Sequence, residues 1–430
     1  MNKNIESEII TNLAIGLGPA NLSIAALAND NRDIDSEFIE KKPTFEWLDG
    51  KFLKNTVVQS SILRDLVTLV DPTHSFSFLS YLHEEKKIYQ FMSANFLNIP
   101  RYELSAYYKW AANKLSNVSY NEWVNEVRLE DGVFRVHTSK RIINAKNIIL
   151  GVGKIPYYPE HSILDISDNS FHGMMYARKK KSIFVNKKVA VIGNNQNAAE
   201  VFYDLIDTQG AKPSEVVWLS EDLLFNTEVT SSFDSEIFTP SYNEFCGAIN
   251  NIDNSHLKNS EHLLNGISQS TLEKIYHSLY GAKYGGYNDS KYEIFVNTEV
   301  VSQTESTENK LSLEIINKMT KKPSRMDVDI VIYCTGLEQK LPEFLNPIKS
   351  QLISDDKGLV INKDQSIRLA GNIDNKIFLL NSAASSQQVN NQHLALSAYN
   401  GAKVINSLIG YPFYDLSTDD AFINWSGGSE

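Results

Sequence analysis

IITNLAIGLGPANLSIAAL, residues 9–27, reads as a strand, a tight glycine turn and the start of a helix. Ile9, Ile10, Leu13, Ala14 and Ile15 form an apolar run. Gly16-Leu17-Gly18-Pro19-Ala20-Asn21 interrupts it, and apolar helical spacing resumes at Leu22. Such a turn presents backbone N–H groups and the positive end of a helix dipole to a pyrophosphate. Gly16 makes the turn and Gly18 lets the phosphates approach the backbone. Pro19 and Asn21 complete the candidate cofactor loop, although Asn21 stands where a third glycine is usual. Ser36–Glu40 reads as a second strand ending in an acid. Glu40 follows the turn at about the 20-residue interval at which a dinucleotide fold places the acceptor for a ribose hydroxyl. Its other reading is a solvated strand end.

A damaged echo appears much later. Lys187-Lys188-Val189-Ala190-Val191-Ile192-Gly193 is again a strand running into a glycine, and Asn194-Asn195-Gln196-Asn197-Ala198-Ala199-Glu200 opens a helical pattern. Asn195 replaces the second glycine. Gly193, Asn195 and Gln196 are therefore candidates for a second nucleotide site.

Composition bounds the rest. A chain of 430 residues, 42% hydrophobic and 22% charged, is long enough for two or three ordinary globular domains. A net charge of −11 argues against nucleic acid or an anionic membrane as the main partner. Cys246 and Cys334 lie far apart without metal spacing, so no metal is expected and a reducing cytoplasm is the simplest compartment. The polar N-terminus carries no signal-peptide pattern, and no window is apolar over the ~18 residues of a membrane span.

Between the two glycine turns, Leu63, Leu66, Val67 and Val70 have helical spacing, as do Leu104, Tyr107, Tyr108, Ala111 and Leu115. Residues 126–138 alternate about Asp131-Gly132, a hairpin signal. Strands are expected at 145–150, 216–219, 326–333 and 376–381, and helices near 272–280 and 394–409. The resulting expectation is an α/β fold with two Rossmann-like dinucleotide-binding domains, the second inserted in the first, plus a small, mostly helical substrate region. The boundaries are 1–165 with 336–430 for the first, 166–222 with 295–335 for the second, and 223–294 for the substrate region.

Together these motifs resemble the flavin-dependent N-hydroxylating monooxygenases of hydroxamate siderophore biosynthesis. The resemblance runs from about Asn12 to Ile409 and includes Phe45-Glu46-Trp47, Leu63-Arg64-Asp65-Leu66-Val67-Thr68, Asp71-Pro72-Thr73, Phe76-Ser77-Phe78, Tyr81-Leu82, Gly151-Val152-Gly153, Phe171-His172, Phe238-Thr239-Pro240 and Thr335-Gly336. In detail it is most similar to the lysine N6-hydroxylase branch. The resemblance implies FAD in the first domain and NADPH or NADH in the second. Hydride passes from the nicotinamide to FAD, O₂ adds at flavin C4a, and the hydroperoxide passes oxygen to a neutral side-chain amine. It also implies that Gln59, the catalytic candidate, lies near the isoalloxazine with Trp47 beside it. Arg64 would hold a substrate carboxylate and Ser235 would contact substrate, and members of the family are often tetrameric. Without the resemblance, Arg64 reads as a helix arginine paired with Asp65 or Asp71, and His172 reads equally as a packed histidine.

Three departures lie on the reductant side. Asn195 replaces a glycine, Ser220-Glu221-Asp222 replaces an arginine-bearing turn for a 2′-phosphate, and Ser386-Gln387-Gln388 replaces a Thr-His-Gly. Acids repel a 2′-phosphate and accept a ribose hydroxyl. The expected activity is N6-hydroxylation of L-lysine. The alternatives are ornithine or a diamine (putrescine or cadaverine) as substrate, a divergent FAD-binding paralogue without hydroxylase activity, and a flavin monooxygenase acting on sulfur or a ketone.

Overall fold

The computed structural model describes residues 9–425 apart from 30, 32, 49, 51–52, 54–55, 97, 161, 163–166, 208–211, 229–230, 249–265, 287–289, 307–309, 356–357, 372, 381–393 and 418–420. Two sheets dominate, one mixed and one parallel. In the first, Ile9–Ile15 pairs in parallel with Ser36–Glu40 on one side and Ile142–Leu150 on the other. Val118–Tyr120 extends it beyond Ser36–Glu40, and Ile377–Leu379 lies against the end of Ile142–Leu150. Val124–Glu130 and Val133–Thr138 form an antiparallel hairpin on the same sheet. Asp131 and Gly132 both have positive φ in its turn, as Asp-Gly favours.

The second sheet is wholly parallel: Ser170–His172, Ile330–Tyr333, Lys188–Ile192, Glu215–Leu219, then Lys291–Phe295. A separate antiparallel sheet, Thr298–Glu305, Leu311–Asn317 and Pro323–Val328, packs on one face of it. The chain leaves the first sheet through Ile155–Pro156 and returns through Leu337–Glu338, and these two segments pair with each other.

Apolar faces explain the layers. Helix Pro19–Ala28 is buried along its whole length between the first sheet and helices Arg101–Lys114 and Ser397–Ile409. Gly401 lies in the third of these, and a Cβ there would meet Ser23 Oγ at 3.2 Å. Helix Gln196–Ile206 covers the second sheet, and Gln269–Tyr284 packs on that helix.

Two expectations need correction. Residues 63–70 are a series of turns, and the helix that follows is Phe78–Glu84. Asp65 is the cause. Its carboxylate accepts from Val67 N (2.9 Å), Thr68 N (2.7 Å) and Phe78 N (2.6 Å), so the local side chain outcompetes the helical ladder for these donors. Asp65→Ala is expected to destabilise the protein by about 3 kcal/mol, because three N–H groups, two of them buried, lose a charged acceptor. A urea unfolding midpoint equal to that of the wild type would refute this. The second correction concerns 326–333. Those residues divide between two sheets at Asp329, whose carboxylate accepts from Lys188 N at 2.8 Å.

Lys291–Phe295 is the edge strand of the second sheet, so that sheet draws a strand from the stretch read from sequence as the substrate region. No described helix is long and apolar enough to cross a membrane, and no described cluster of His, Cys, Asp or Glu has the arrangement of a metal site.

Candidate active site

The first glycine turn is built from the strand upward. Ile15 ends the central strand, Gly16 takes φ +85°, and a Cβ there would meet Gly151 O at 2.7 Å. Gly18 is different. A Cβ on it would find only Gly151 O, at an ordinary 3.7 Å, so the protein itself does not demand a glycine there. Pro19 opens the helix, where its missing N–H costs nothing. Asn21, fully buried, donates from Nδ2 to Gly16 O (2.6 Å) and Ile15 O (3.3 Å), bracing the turn from beneath.

Glu40 closes the same turn from the neighbouring strand. Its Oε2 accepts from Leu17 N at 2.7 Å and its Oε1 from Lys42 N at 2.9 Å. Each oxygen keeps a lone pair free for a further donor. The solvated-strand-end reading does not describe it.

The second turn has the same plan with different parts. Gly193 has φ +137°, and a Cβ there would strike the carbonyl of Cys334. Asn195 is extended, not left-handed, and it is the N-cap of helix Gln196–Ile206. Its Oδ1 accepts from Ala198 N (3.1 Å) and its Nδ2 donates to Cys334 O (2.6 Å). The side chain therefore lies against the protein. Capping by asparagine supplies locally what a glycine leaves to the ligand. Gln196 is also engaged, donating to Glu200 Oε1 and Thr271 Oγ1 and accepting from Ser268 N. Beyond the next strand, Asp222 Oδ2 accepts from Asn194 Nδ2 at 2.7 Å. Glu221 lies 3.7 Å from Lys318, a basic neighbour that sequence reading missed because it arrives from the separate antiparallel sheet.

Val57–Val58 leads directly to Gln59, which is half-buried and makes no hydrogen bond with its carboxamide among the described residues. Trp47 packs edge-on against Tyr108, with centroids 5.0 Å apart. Arg64 is half-buried, and burial lowers its pKa. No described carboxylate pairs with it. Asp65 is committed to backbone N–H groups and Asp71 to Thr73, so the helix-arginine reading fails. The guanidinium instead lies 5.6 Å over the ring of Phe238. Ser235 stands within the same short helical turn, Asp234–Phe238, and its hydroxyl donates to Ser231 O.

The following helix, Pro240–Ala248, is held by the C-terminal helix through Tyr399 O–H to Glu244 (3.0 Å) and by Trp425 against Tyr242. Nothing in the local sequence signals these pairings. Glu228, in the loop before this turn, has its carboxyl pushed up to about 7 by burial. His172 is packed: Nδ1 accepts from Met174 N and Nε2 faces Gly336 O at 3.0 Å. Ser386-Gln387-Gln388 lies outside the described residues.

Comparison with known proteins bears on this arrangement. A family model described as L-lysine 6-monooxygenase/L-ornithine 5-monooxygenase matches residues 8–339. The L-lysine N6-monooxygenase of Escherichia coli is 28% identical, over 97% of this chain and 98% of its own. The FAD-bound cadaverine monooxygenase of desferrioxamine biosynthesis from Erwinia amylovora superposes with a TM-score of 0.91 at 23% identity, covering 98% of this chain and 100% of that one. An ornithine N-hydroxylase from Kutzneria sp. 744, solved with reduced FAD, NADP+ and L-ornithine, superposes with a TM-score of 0.84 at 21% identity, covering 93% and 99%.

Proposed function

The chain belongs to the L-lysine 6-monooxygenase/L-ornithine 5-monooxygenase family, and from that premise we propose that it hydroxylates the side-chain amine of a free amino acid, L-lysine first, for hydroxamate siderophore assembly. FAD, when bound, takes hydride from a reduced nicotinamide and activates O₂ for transfer to a neutral amine.

The residues present fit both groups. The Gly16–Gly18 turn and the N-terminus of helix Pro19–Ala28 would hold the FAD pyrophosphate, with Glu40 for a ribose hydroxyl. The Gly193 turn and the N-terminus of helix Gln196–Ile206 would hold the nicotinamide nucleotide. Gln59, whose carboxamide has no partner among the described residues, would meet the flavin ring. Arg64 would orient the amino acid by forking onto its carboxylate, leaving the distal amine to reach the flavin. Phe238 and the 234–248 segment would cover that end and exclude water, which strengthens the ion pair.

The single observation that carries the choice of an amino acid over a diamine is the half-buried Arg64 without a carboxylate among the described residues. A panel of L-lysine, L-ornithine, putrescine and cadaverine with hydroxylamine detection tests it. Turnover of a diamine with none of either amino acid would overturn it, and no product from any amine would favour the non-hydroxylating paralogue.

The acids at 221 and 222 favour NADH as reductant. Flavin reduction followed by stopped flow is expected to have a Kd for NADH about tenfold below that for NADPH, the cost of bringing a 2′-phosphate to carboxylates. Glu221→Arg should reverse the order. Tighter NADPH binding in the wild type would refute the assignment.

A further inference from the structure

The reductant turn and the flavin-side segment are joined by one buried charge pair. Arg101 opens helix Arg101–Lys114, which packs under helix Pro19–Ala28. Glu200 sits one turn into helix Gln196–Ile206. Arg101 Nη1 donates to Glu200 Oε2 at 2.9 Å and Nη2 donates to Oε1 at 2.8 Å, and the two side chains are 9% and 6% exposed.

Each partner is anchored to its own site. Arg101 N donates to Thr56 O at 3.0 Å, and the preceding Ile99–Pro100 pairs antiparallel with Val57–Val58, which runs into Gln59. Glu200 Oε1 accepts from Gln196 Nε2 at 2.9 Å, and Gln196 is the residue directly after the cap of the nucleotide turn. Gln196 is in turn fixed by Ser268 N and Thr271 Oγ1, so its amide cannot rotate away. A chain of hydrogen bonds and strand pairing therefore runs from Gln59 to the mouth of the second turn.

Stability does not require such a pair. The cost of desolvating two ions cancels most of their attraction, and apolar residues of similar volume serve as well or better. What a guanidinium–carboxylate fork adds is geometry, because two parallel hydrogen bonds fix both distance and rotation. We propose that Arg101 and Glu200 are positioning residues that set the N-terminus of helix Gln196–Ile206 against the Val57–Gln59 segment, and so align the reduced nicotinamide with the flavin. This rests on the function proposed above.

The test is the FAD-loaded double variant Arg101→Met/Glu200→Met. Its Tm and FAD content should equal or exceed those of the wild type. The Kd for NADH should change by less than about threefold, while the limiting rate of flavin reduction falls about 100-fold, the scale of an ångström-sized misplacement. In the FAD-loaded protein without nicotinamide, amide exchange in peptides 99–106 and 196–206 should accelerate together despite the unchanged Tm. A wild-type limiting rate, or exchange that changes in neither peptide, overturns the proposal. Should the double variant not fold, Arg101→Lys keeps the charge and loses the fork, and it should show the same split between rate and Kd. An unaltered rate in that variant also overturns it. If neither nicotinamide reduces the wild-type flavin, the functional reading fails instead, and the exchange experiment still decides whether this pair couples the two turns.

Discussion

Replacing Arg64 with alanine is expected to raise KM for L-lysine about 100-fold and KM for cadaverine less than about threefold. The reason is an imbalance already built into the protein. The guanidinium is half-buried, remains charged, and finds no acid among the described residues, because Asp65 and Asp71 are bound to their own loop. A cation held out of water without a counter-charge is destabilising until a ligand supplies one. An α-carboxylate does so with two hydrogen bonds, and a diamine has nothing to offer. Arg64→Lys should fall between, since an ammonium is a point charge without the fork. Steady-state kinetics with both substrates give the answer, and an equal rise in KM for the two would remove the carboxylate role.

Gly151→Ala is expected to yield protein that retains less than about a tenth of its FAD, and Asn21→Ala in the same chain to restore most of it. Gly151 follows the strand Ile142–Leu150, and its N–H donates to Ile15 O at 2.9 Å. A Cβ on it would sit 2.5 Å from Asn21 Cγ and 2.8 Å from Oδ1. Neither side can yield cheaply. Asn21 is fully buried and hydrogen-bonded to Gly16 O and Ile15 O, so moving its amide moves the turn that would hold the pyrophosphate. Overpacking of this kind costs ~1–3 kcal/mol. Shortening residue 21 makes room for the new methyl, so the two changes should be strongly non-additive. Absorbance of the purified variants at flavin wavelengths measures the outcome. A Gly151→Ala protein that keeps its FAD would show that the turn tolerates displacement of Asn21.

Much of the architecture was legible locally. The two strand–glycine–helix units, the Asp131-Gly132 hairpin and the closing helix are each written in a period or a turn residue within a short window. The reading failed where a side chain competes with the backbone. Leu63, Leu66, Val67 and Val70 have helical spacing, yet Asp65 collects three N–H donors and the segment turns. It failed again at residues 326–333, where two strands of different sheets abut without a break in hydrophobicity.

The candidate site divides in the same way. Residues 9–27 and 187–200 by themselves determined two strand–glycine–helix turns, because the glycine at 16 and at 193 and the apolar period around each are written in the local chain. The block from Leu63 to Leu82 pointed to the family. What each substituted residue does was decided only by the tertiary structure. Asn21 is accommodated because Gly151, from another strand, leaves it space. Asn195 is a cap fastened to Cys334, Arg64 lies over the ring of Phe238, and Arg101 finds Glu200 across the two halves. Partners 99 or more residues apart leave no periodic trace in the sequence, and folding alone brings them into contact.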